Sequence, residues 1–420
     1  MIIWSLALRS LWNRRTTAAL MVLAISISVA LLLSVEMLRT SAKQGFTSTI
    51  SGTDLIVGAR TGPINLLLSS VFRIGDATTN ISWATYQKIS HHPDVAWTIP
   101  ISLGDSLRGF RVLGTDEDYF RHYHFAGDQS LQFSAGHEFQ NLFEAVLGAD
   151  VARKLHYKLG DTIILAHGVG EVSFAEHKNH PFRIVGILAK TGTPVDRTVH
   201  VSLKSITAIH VDWRTGTLAP ANARASAEAL QRMDLTPKDI TAFLVGMRSK
   251  PLALRMQRAI NEYDGEALLA IIPGVALNQL WSLVGVADTA LMIVAAFVVL
   301  ASLLGMLTSI LTSLNERRRE MAILRSVGAR PRHILALMVI EAGLLAALGV
   351  IFGTIWAYLL LFLGRPILQE KFGVFIALNV PSSYDISILA LIVLSALFIG
   401  SLPAFRAYRN TLSDGLQIRV

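Results

Sequence analysis

Histidines are the residues of this 420-residue chain best suited to chemistry, and eleven of the twelve lie between positions 91 and 210. Three close pairs occur among them, and Glu176 adjoins the third pair: His91-His92, His122-x-His124 and His177-x-x-His180. Imidazole nitrogens bind Zn²⁺, Cu²⁺ and Ni²⁺, and a carboxylate can complete the ligand set. The pairs therefore predict a zinc site if folding brings at least two of them together. The alternative is that these histidines have only structural or solvent-exposed roles in a loop-rich domain.

Several residues and motifs that other kinds of chemistry require are missing from the sequence. It has no cysteine, which excludes disulfides, thiol catalysis and cysteine metal ligands. It has no H-E-x-x-H, no G-x-x-x-x-G-K-[ST] phosphate loop and no G-x-S-x-G nucleophile elbow. We therefore expect a non-catalytic chain without a cofactor of its own, apart from a candidate zinc ion.

The composition indicates a membrane protein. Hydrophobic residues make up 52% of the chain and charged residues only 16%, against about 25% in soluble domains. The net charge of +8 clusters beside apolar runs, and no nucleic-acid motif is present. Membrane topology therefore explains the positive charge better than nucleic-acid binding does.

Four apolar segments are long enough to cross a bilayer, which takes about 20 residues: Thr16–Val35, Thr289–Leu314, Ile334–Gly364 and Ile386–Pro403. Arginines precede the first segment, separate the second from the third and follow the fourth. By the positive-inside rule, both termini and the middle loop are cytosolic, and about 240 residues lie outside. The first segment is too long for the core of a signal peptide, so we expect an uncleaved anchor.

The cytosolic loop Asn315–His333 reads NERRREMAILRSVGARPRH. Met321, Leu324 and Val327 recur at helical spacing, and Gly328 and Pro331 supply a helix stop. The pattern predicts a short charged helix at the membrane surface whose apolar stripe docks on a partner. The alternative is a basic loop that only fixes the topology.

The sequence of the external segment alternates strand-like and helical stretches, a pattern that predicts a mixed α+β domain. Short β-branched runs predict strands at Asp54–Val57, Phe110–Leu113, Thr162–Ala166, Phe182–Leu188 and Thr198–Val201. Helices are predicted at Trp83–Ser90, Asp150–Leu155, Lys204–Ile209, Ala221–Met233 and Leu252–Tyr263. The apolar stretch Leu55–Gly75 is either buried core or a surface for lipid or a periplasmic partner.

The third apolar segment carries one ionisable residue, Glu341. A charge inside a span is a functional candidate, although this one can also reach the cytosolic interface or pair with a loop arginine. Small residues recur four apart around it at Ala342/Ala346, Gly343/Ala347 and Gly349/Gly353. They predict a close packing face, either within the bundle or between protomers.

Several strings resemble the FtsX/MacB-like permease family of ABC transporters. The most specific is ERRREMAILRSVGA followed by the apolar helix with Glu341. GADVARKLHYKLGDTIIL and FRIVGIL are similar to the family's external domain, and PAFRAYRNTLSDGLQIR to its C-terminal tail. The resemblance implies four transmembrane helices plus a large α+β extracytoplasmic domain between the first two, with a smaller subdomain that we place loosely at residues 189–248.

The resemblance also implies site residues and partners. The coupling helix that docks on the ATPase corresponds to Glu316, Arg317, Glu320, Ile323, Arg325, Val327, Gly328 and Ala329, with Glu341 as the acidic position after it. The implied partners are two copies of an ABC ATPase, which binds ATP and Mg²⁺, and a second permease copy or paralogue. Membrane lipid and a periplasmic protein are further expected partners, and nucleic acid is not.

The function that the resemblance implies is mechanotransmission in a bacterial inner membrane. ATP hydrolysis by a separate ATPase, which some relatives carry fused to the permease, moves the periplasmic domain to export or extract lipid, lipoprotein or a small amphiphile. Two alternatives stay open: a signalling permease that controls a cell-wall hydrolase, and a component of a zinc-handling ABC system. The expected segments are 1–15 (cytosolic), 16–39 (helix one), 40–283 (external domain), 284–314 (helix two), 315–333 (coupling helix), 334–364 (helix three), 365–385 (external loop), 386–405 (helix four) and 406–420 (cytosolic tail).

Overall fold

The computed structural model describes residues 2–76, 79–168, 177–214, 217–218, 227–372 and 380–410. These residues form two compact units. One holds the described residues before Lys43, those of Gly285–Phe372 and those after position 379. The other holds the described residues of Lys43–Val284. We refer to them as the membrane unit and the external domain.

The membrane unit is helical: α1 (Ile2–Asn13), α2 (Arg15–Ser48), α10 (Pro273–Ser326), α11 (Pro331–Phe372) and α12 (Ser383–Asn410). Four stretches are long and apolar enough to span a bilayer, with mean hydropathy from 2.3 to 2.7: Arg15–Ser48, Pro273–Thr312, Arg332–Ile367 and Ser383–Leu402. They correspond to the four predicted spans. Both α2 and α10 continue from a span into the external domain.

Small residues set the packing of the bundle. A β-carbon added at Gly353 would lie 2.7 Å from the Ser26 carbonyl oxygen of α2, and one at Gly400 of α12 would overlap the β-carbon of Ala342. The repeats predicted around Glu341 therefore pack α11 against α2 and α12 inside one chain. This agrees with the first of the two alternatives, a face within the bundle.

The external domain alternates helices with strands. Its helices are α3 (Pro63–Leu67), a π-helical turn (Leu68–Phe72), α4 (Trp83–Ser90), α5 (Asp118–His122), α6 (Ala149–Leu155), a 3₁₀ turn (Pro194–Arg197), α7 (Leu203–His210), α8 (Ala227–Arg232) and α9 (Leu252–Asn261). Its first strands are β1 (Leu55–Ala59), β2 (Ile81–Ser82), β3 (Val95–Leu107), β4 (Phe110–Thr115), β5 (His124–Phe125), β6 (Gln129–Ser130), β7 (Phe133–Gly136), β8 (Glu144–Leu147) and β9 (Thr162–Ile163). The others are β10 (Ala166–His167), β11 (Phe182–Leu188), β12 (Thr198–Ser202), β13 (Trp213–Arg214), β14 (Thr217–Leu218), β15 (Asp239–Ile240), β16 (Ala242–Met247) and β17 (Leu268–Ile271).

Eleven of these strands form one mixed sheet in the order β17-β1-β16-β3-β4-β12-β8-β11-β7, with β10 on β3 and β9 on β11. Successive residues of a strand point to opposite faces. Ile56, Leu113 and Val146 accordingly enter one apolar core, whereas their neighbours Leu55 and Val112 enter cores on the other face. The α+β class predicted for this domain is confirmed.

Two predictions about segments of this domain are decided by the sheet. Leu66, Leu67 and Val71 are buried, so the stretch Leu55–Gly75 is core rather than an apolar surface. The placement of a separate subdomain at residues 189–248 is wrong. Within that range, β12 pairs with β4 and β8, and β16 pairs with β1 and β3, so both strands belong to the main sheet.

Candidate functional site

The predicted coupling segment is the C-terminal end of α10 rather than a separate short helix. No glycine or proline occurs between Gly305 and Gly328, so nothing in the sequence interrupts the helix. Gly328 takes φ +98°, the left-handed geometry that terminates helices, and α11 begins at Pro331. The helix stop thus lies where the sequence predicts it.

Two apolar side chains of this segment are open to solvent. Ile323 is 58% exposed and Val327 is 83% exposed. Ala329 and Gly328 lie in the turn that follows them. The backbones of Glu316, Arg317, Glu320 and Arg325 are helical within α10, and their side chains lie outside the part of the chain that the structure describes. The exposed pair leaves an apolar end available for contact with another protein.

Glu341 is buried within the bundle, with 7% of its surface exposed. It immediately precedes Ala342, the α11 residue that packs against Gly400 of α12. Burial at a helix crossing agrees with a structural role, and its functional role stays a prediction.

The six histidines predicted to bind metal occupy different places. His91 and His92 are exposed at the end of α4, where His91 Nδ1 lies 2.7 Å from the Gln87 carbonyl oxygen. His122 stacks on the Trp97 ring at 5.2 Å, and His124 Nδ1 lies 2.9 Å from the His122 carbonyl oxygen. His177 and His180 are buried on the segment before β11. Glu176 lies outside the described residues.

His177 belongs to a cluster with three residues that the sequence did not single out: Asp105, His167 and His210. One ligand atom from each of the four lies within 4.8 Å of all the others. Oδ1 of Asp105 is 3.0 Å from His167 Nδ1, 3.7 Å from His177 Nε2 and 3.7 Å from His210 Nε2. Among the described residues, this is the one group of three or more histidines and carboxylates close enough to share an ion.

Strand pairing and helix capping position the cluster. Asp105 of β3 and His167 of β10 are directly opposite in the antiparallel pair. The His177 amide donates to the Leu165 carbonyl oxygen at 2.9 Å, which attaches the next ligand to the segment before β10. His210 ends α7, and its Nδ1 lies 2.7 Å from the Ile206 carbonyl oxygen. Secondary structure therefore brings together ligands that are as far as 105 positions apart.

The imidazoles keep Asp105 ionised in a buried setting. Burial alone would raise the pKa of its carboxyl, but His167 and His177 hold that pKa well below its usual range. The Asp105 carboxylate in turn raises the pKa of His167. Burial lowers the pKa of His210, which favours its neutral form. The cluster thus combines a carboxylate with imidazole nitrogens, the donor set of zinc and copper sites.

His180 makes a second, separate histidine–carboxylate contact. Its Nε2 lies 3.5 Å from Asp212 Oδ2, and its ring stacks on Phe143 at 5.1 Å. The structure therefore divides the predicted His177/His180 pair between two carboxylates. Metal binding by His91, His92, His122, His124 and His180 stays a prediction.

Two family models match the chain. A MacB-like periplasmic core domain matches residues 18–234, and an FtsX-like permease C-terminal domain matches residues 292–412. The first match covers the first span and most of the external domain, and the second covers the last three spans with the coupling segment.

Similar proteins include two transporters. The macrolide export ATP-binding/permease protein MacB of Azoarcus sp. is 25% identical over 366 residues, which are 83% of this chain and 50% of the relative. The pyoverdine export ATP-binding/permease protein PvdT of Pseudomonas syringae pv. tomato is 23% identical over 412 residues, which are 96% of this chain and 57% of the relative. The chain thus spans about half the length of the curated relatives it matches.

Two solved structures resemble parts of the chain. The periplasmic region of MacB from Actinobacillus actinomycetemcomitans has a TM-score of 0.33 at 9% identity and covers 55% of this chain and 94% of that one. The extracellular domain of the ABC-type transporter YknZ from Gram-positive bacteria has a TM-score of 0.31 at 12% identity, and the match covers 52% of this chain and 98% of that one.

Proposed function

Because this chain belongs to the FtsX/MacB-like family of ABC transporter permeases, we propose that it transmits movement from an ATPase to its own external domain. In this proposal a separate ATPase subunit binds and hydrolyses ATP with Mg²⁺ on the cytosolic side of a bacterial inner membrane. Two copies of that ATPase act on a permease dimer. The periplasmic domains then act on a substrate outside the bilayer or at its outer leaflet.

The observation that carries the proposal is the continuity of α10. This helix starts two residues after β17, the last strand of the external domain, and runs for 54 residues to Ser326. At 1.5 Å per residue it is about 80 Å long. Pro273 at its first position is its only proline. An unbroken helix resists bending and compression, so a displacement of its cytosolic end reaches the strands that precede it.

A second continuous connection supports the same mechanism. Helix α2 runs for 34 residues from Arg15 to Ser48 and enters the external domain, where β1 begins at Leu55. The two helices therefore flank the external domain in the sequence, and each extends a membrane span into it. We propose that movement of either helix is passed to the external domain through these chain connections.

The cytosolic end of α10 is the proposed dock for the ATPase. Ile323 and Val327 expose apolar surface there, and the sequence around them carries six arginines and two glutamates. Apolar contacts at the centre and charges at the rim are typical of a protein interface. Glu316, Arg317, Glu320 and Arg325 would provide that rim.

We further propose that the cargo is an amphiphile, such as a lipid, a lipoprotein or a small export substrate. The buried charged residues of the membrane unit whose side chains the structure describes are Glu36, Glu341 and Asp385. Glu36 and Asp385 lie just outside the apolar segments Thr16–Val35 and Ile386–Pro403, so Glu341 is the one buried charge that the described residues place within a span. Movement of cargo by the external domain fits this unit better than passage through it.

Co-expression with the cognate ATPase tests the proposal. The pair should purify as a stable complex that hydrolyses ATP, and Glu320→Lys should reduce the amount of ATPase retained because it reverses a charge at the dock. Glu262→Lys, the same change on the exposed end of α9, is the control and should retain the ATPase fully. ATP hydrolysis by the purified permease alone, or equal retention by both variants, would refute the proposal. A cell-wall hydrolase found in the native complex would instead favour the signalling alternative.

A further inference from the structure

We propose that Asp105, His167, His177 and His210 bind one transition-metal ion, with Zn²⁺ as the ion to test first. The site lies in the external domain and needs no residue of the membrane unit. The inference does not rest on the proposed transport function, and either can fail without the other.

The distances suit a small tetrahedral ion. Zinc binds nitrogen and oxygen ligands at about 2.0–2.1 Å, so neighbouring donors of a tetrahedral shell are about 3.3 Å apart. The three distances from Asp105 Oδ1, at 3.0, 3.7 and 3.7 Å, bracket this value. No pair of donors exceeds 4.8 Å.

His210 has the arrangement of a metal-bound histidine. Its Nδ1 donates to the Ile206 carbonyl oxygen at 2.7 Å, which places the lone pair of the neutral ring on Nε2. That Nε2 atom is buried and makes no hydrogen bond within the described part of the chain. A backbone carbonyl that fixes the tautomer in this way is the usual outer-shell partner of a metal-binding histidine.

Two of the four side chains in the cluster are buried, and the other two are partly exposed. The side chains of Asp105 and His177 are 3% and 1% exposed, whereas those of His167 and His210 are 44% and 29% exposed. The buried pair is held by β3 and by the His177 amide contact, whereas the rings of the other pair are partly exposed, with the His210 Nε2 atom directed inward. An ion can therefore enter from solvent and be bound by donors that are already in place.

The donor set indicates both the kind of ion and its role. Three imidazoles and a carboxylate suit Zn²⁺ and neighbouring divalent ions such as Co²⁺, Ni²⁺ and Cu²⁺, whereas Mg²⁺ and Ca²⁺ prefer oxygen ligands throughout. Four protein ligands fill a tetrahedral shell and leave no position for a reactive water. We therefore infer that the ion is held, either to brace the β3–β10 contact or for transfer, and performs no hydrolysis.

The test uses the full chain in detergent, purified with an affinity tag that contains no histidine. After treatment with a chelator, the protein is titrated with ZnCl₂ in the presence of a chromogenic competitor. We expect one tightly bound equivalent that survives excess Mg²⁺ and Ca²⁺, together with a higher Tm, because an ion that binds the folded state stabilises it. Absence of a stoichiometric ion at micromolar zinc would overturn the proposal.

The decisive comparison is between two double variants that remove the same number of histidines. His167→Ala/His210→Ala removes the partly exposed ligands, and His137→Ala/His156→Ala removes two exposed histidines that lie outside the cluster and are not predicted ligands. We expect the first to weaken binding by more than the roughly 10- to 100-fold that loss of an outer-shell partner costs, and the second to bind like the wild type. Equal binding by the two variants would overturn the assignment.

A measurement on the wild type decides the case if His167→Ala/His210→Ala unfolds. X-ray absorption of the zinc-loaded chain should show a nitrogen and oxygen shell at about 2.0–2.1 Å with scattering from about three imidazoles. A shell with one imidazole or none would place the zinc elsewhere and refute the site.

Discussion

A single buried histidine makes the external domain sensitive to acid. His200 of β12 is fully buried, with its ring 5.1 Å from that of Tyr119 and its Nδ1 3.4 Å from the Val146 carbonyl oxygen. Burial, reinforced by Arg73, lowers the pKa of His200 to about 3. The folded protein therefore keeps this imidazole neutral at pH values where the unfolded chain protonates it.

Protonation of His200 destabilises the folded protein, because the unfolded chain binds this proton more readily than the folded chain does. In the unfolded chain the histidine pKa is about 6.5, so between pH 6.5 and 3 the unfolded state binds the extra proton. The free energy of unfolding should fall by about 1.4 kcal/mol for each pH unit below 6.5, or about 2 kcal/mol at pH 5. At pH 8 the contribution is complete and constant.

Substitution of His200 by phenylalanine should remove this acid sensitivity. The aromatic ring keeps the contact with Tyr119 and cannot be protonated. We expect the Tm of the detergent-solubilised chain to fall less between pH 8 and pH 5 in His200→Phe than in the wild type. Other titrating groups are shared by the two proteins and cancel in the comparison. Parallel pH profiles would show that His200 does not carry the effect.

At the scale of elements, the sequence predicted some boundaries to the residue. Trp83–Ser90 and Phe182–Leu188 form a helix and a strand with the predicted limits. Both are bounded by strong local signals: Ser82 caps the helix, accepting from the Thr85 amide, and Pro181 precedes the strand. Where a signal is local, a single sequence is sufficient.

Elements defined by distant partners were harder to predict. β3 is 13 residues long although it contains Pro100 and Gly104, because β16, β4 and β10 pair along it. The metal cluster depends on the same pairing. The sequence identified His177, but Asp105, His167 and His210 come together only through the β3–β10 register and the end of α7. No local spacing connects those residues.

The crossing of α11 and α2 yields a prediction at this scale. A β-carbon at Gly353 would meet the Ser26 carbonyl oxygen and the Val29 β-carbon at 2.7 Å, so Gly353→Ala must push the two helices apart. We expect a loss of about 1–3 kcal/mol, the usual cost of overpacking, and a lower Tm in detergent.

Gly305→Ala is the matched control for that variant. It is the same change within α10, where nothing lies within 4 Å of the added carbon. Its Tm should stay near that of the wild type. If Gly353→Ala melts at the same temperature as Gly305→Ala, the close approach of the helices is not needed for stability.

At the scale of the whole molecule, the proposed topology places the external domain and the coupling segment on opposite sides of the membrane. The chain contains no cysteine, so a single introduced thiol reports its own position. Ser249 and Ser326 are both exposed, and cysteine is nearly isosteric with serine. We expect Ser249→Cys to react with an impermeant maleimide added to the periplasmic side and Ser326→Cys only from the cytosolic side. Reaction of both from one side would contradict a topology with four spans.

Within the membrane unit, the unbroken course of α10 also relates the angular position of Val327 to that of the residues before Thr312. Each residue turns an α-helix by about 100°, so one residue inserted near Thr312 would rotate Val327 by about 100° relative to the part of α10 before the insertion. Seven residues would leave the two parts only about 20° out of phase. If the ATPase contacts one side of this helix, relatives with longer segments should have gained about seven residues rather than one or two. Comparison of the lengths of this segment among relatives would show whether the rotational position of the docking residues is conserved as well as their distance from the membrane.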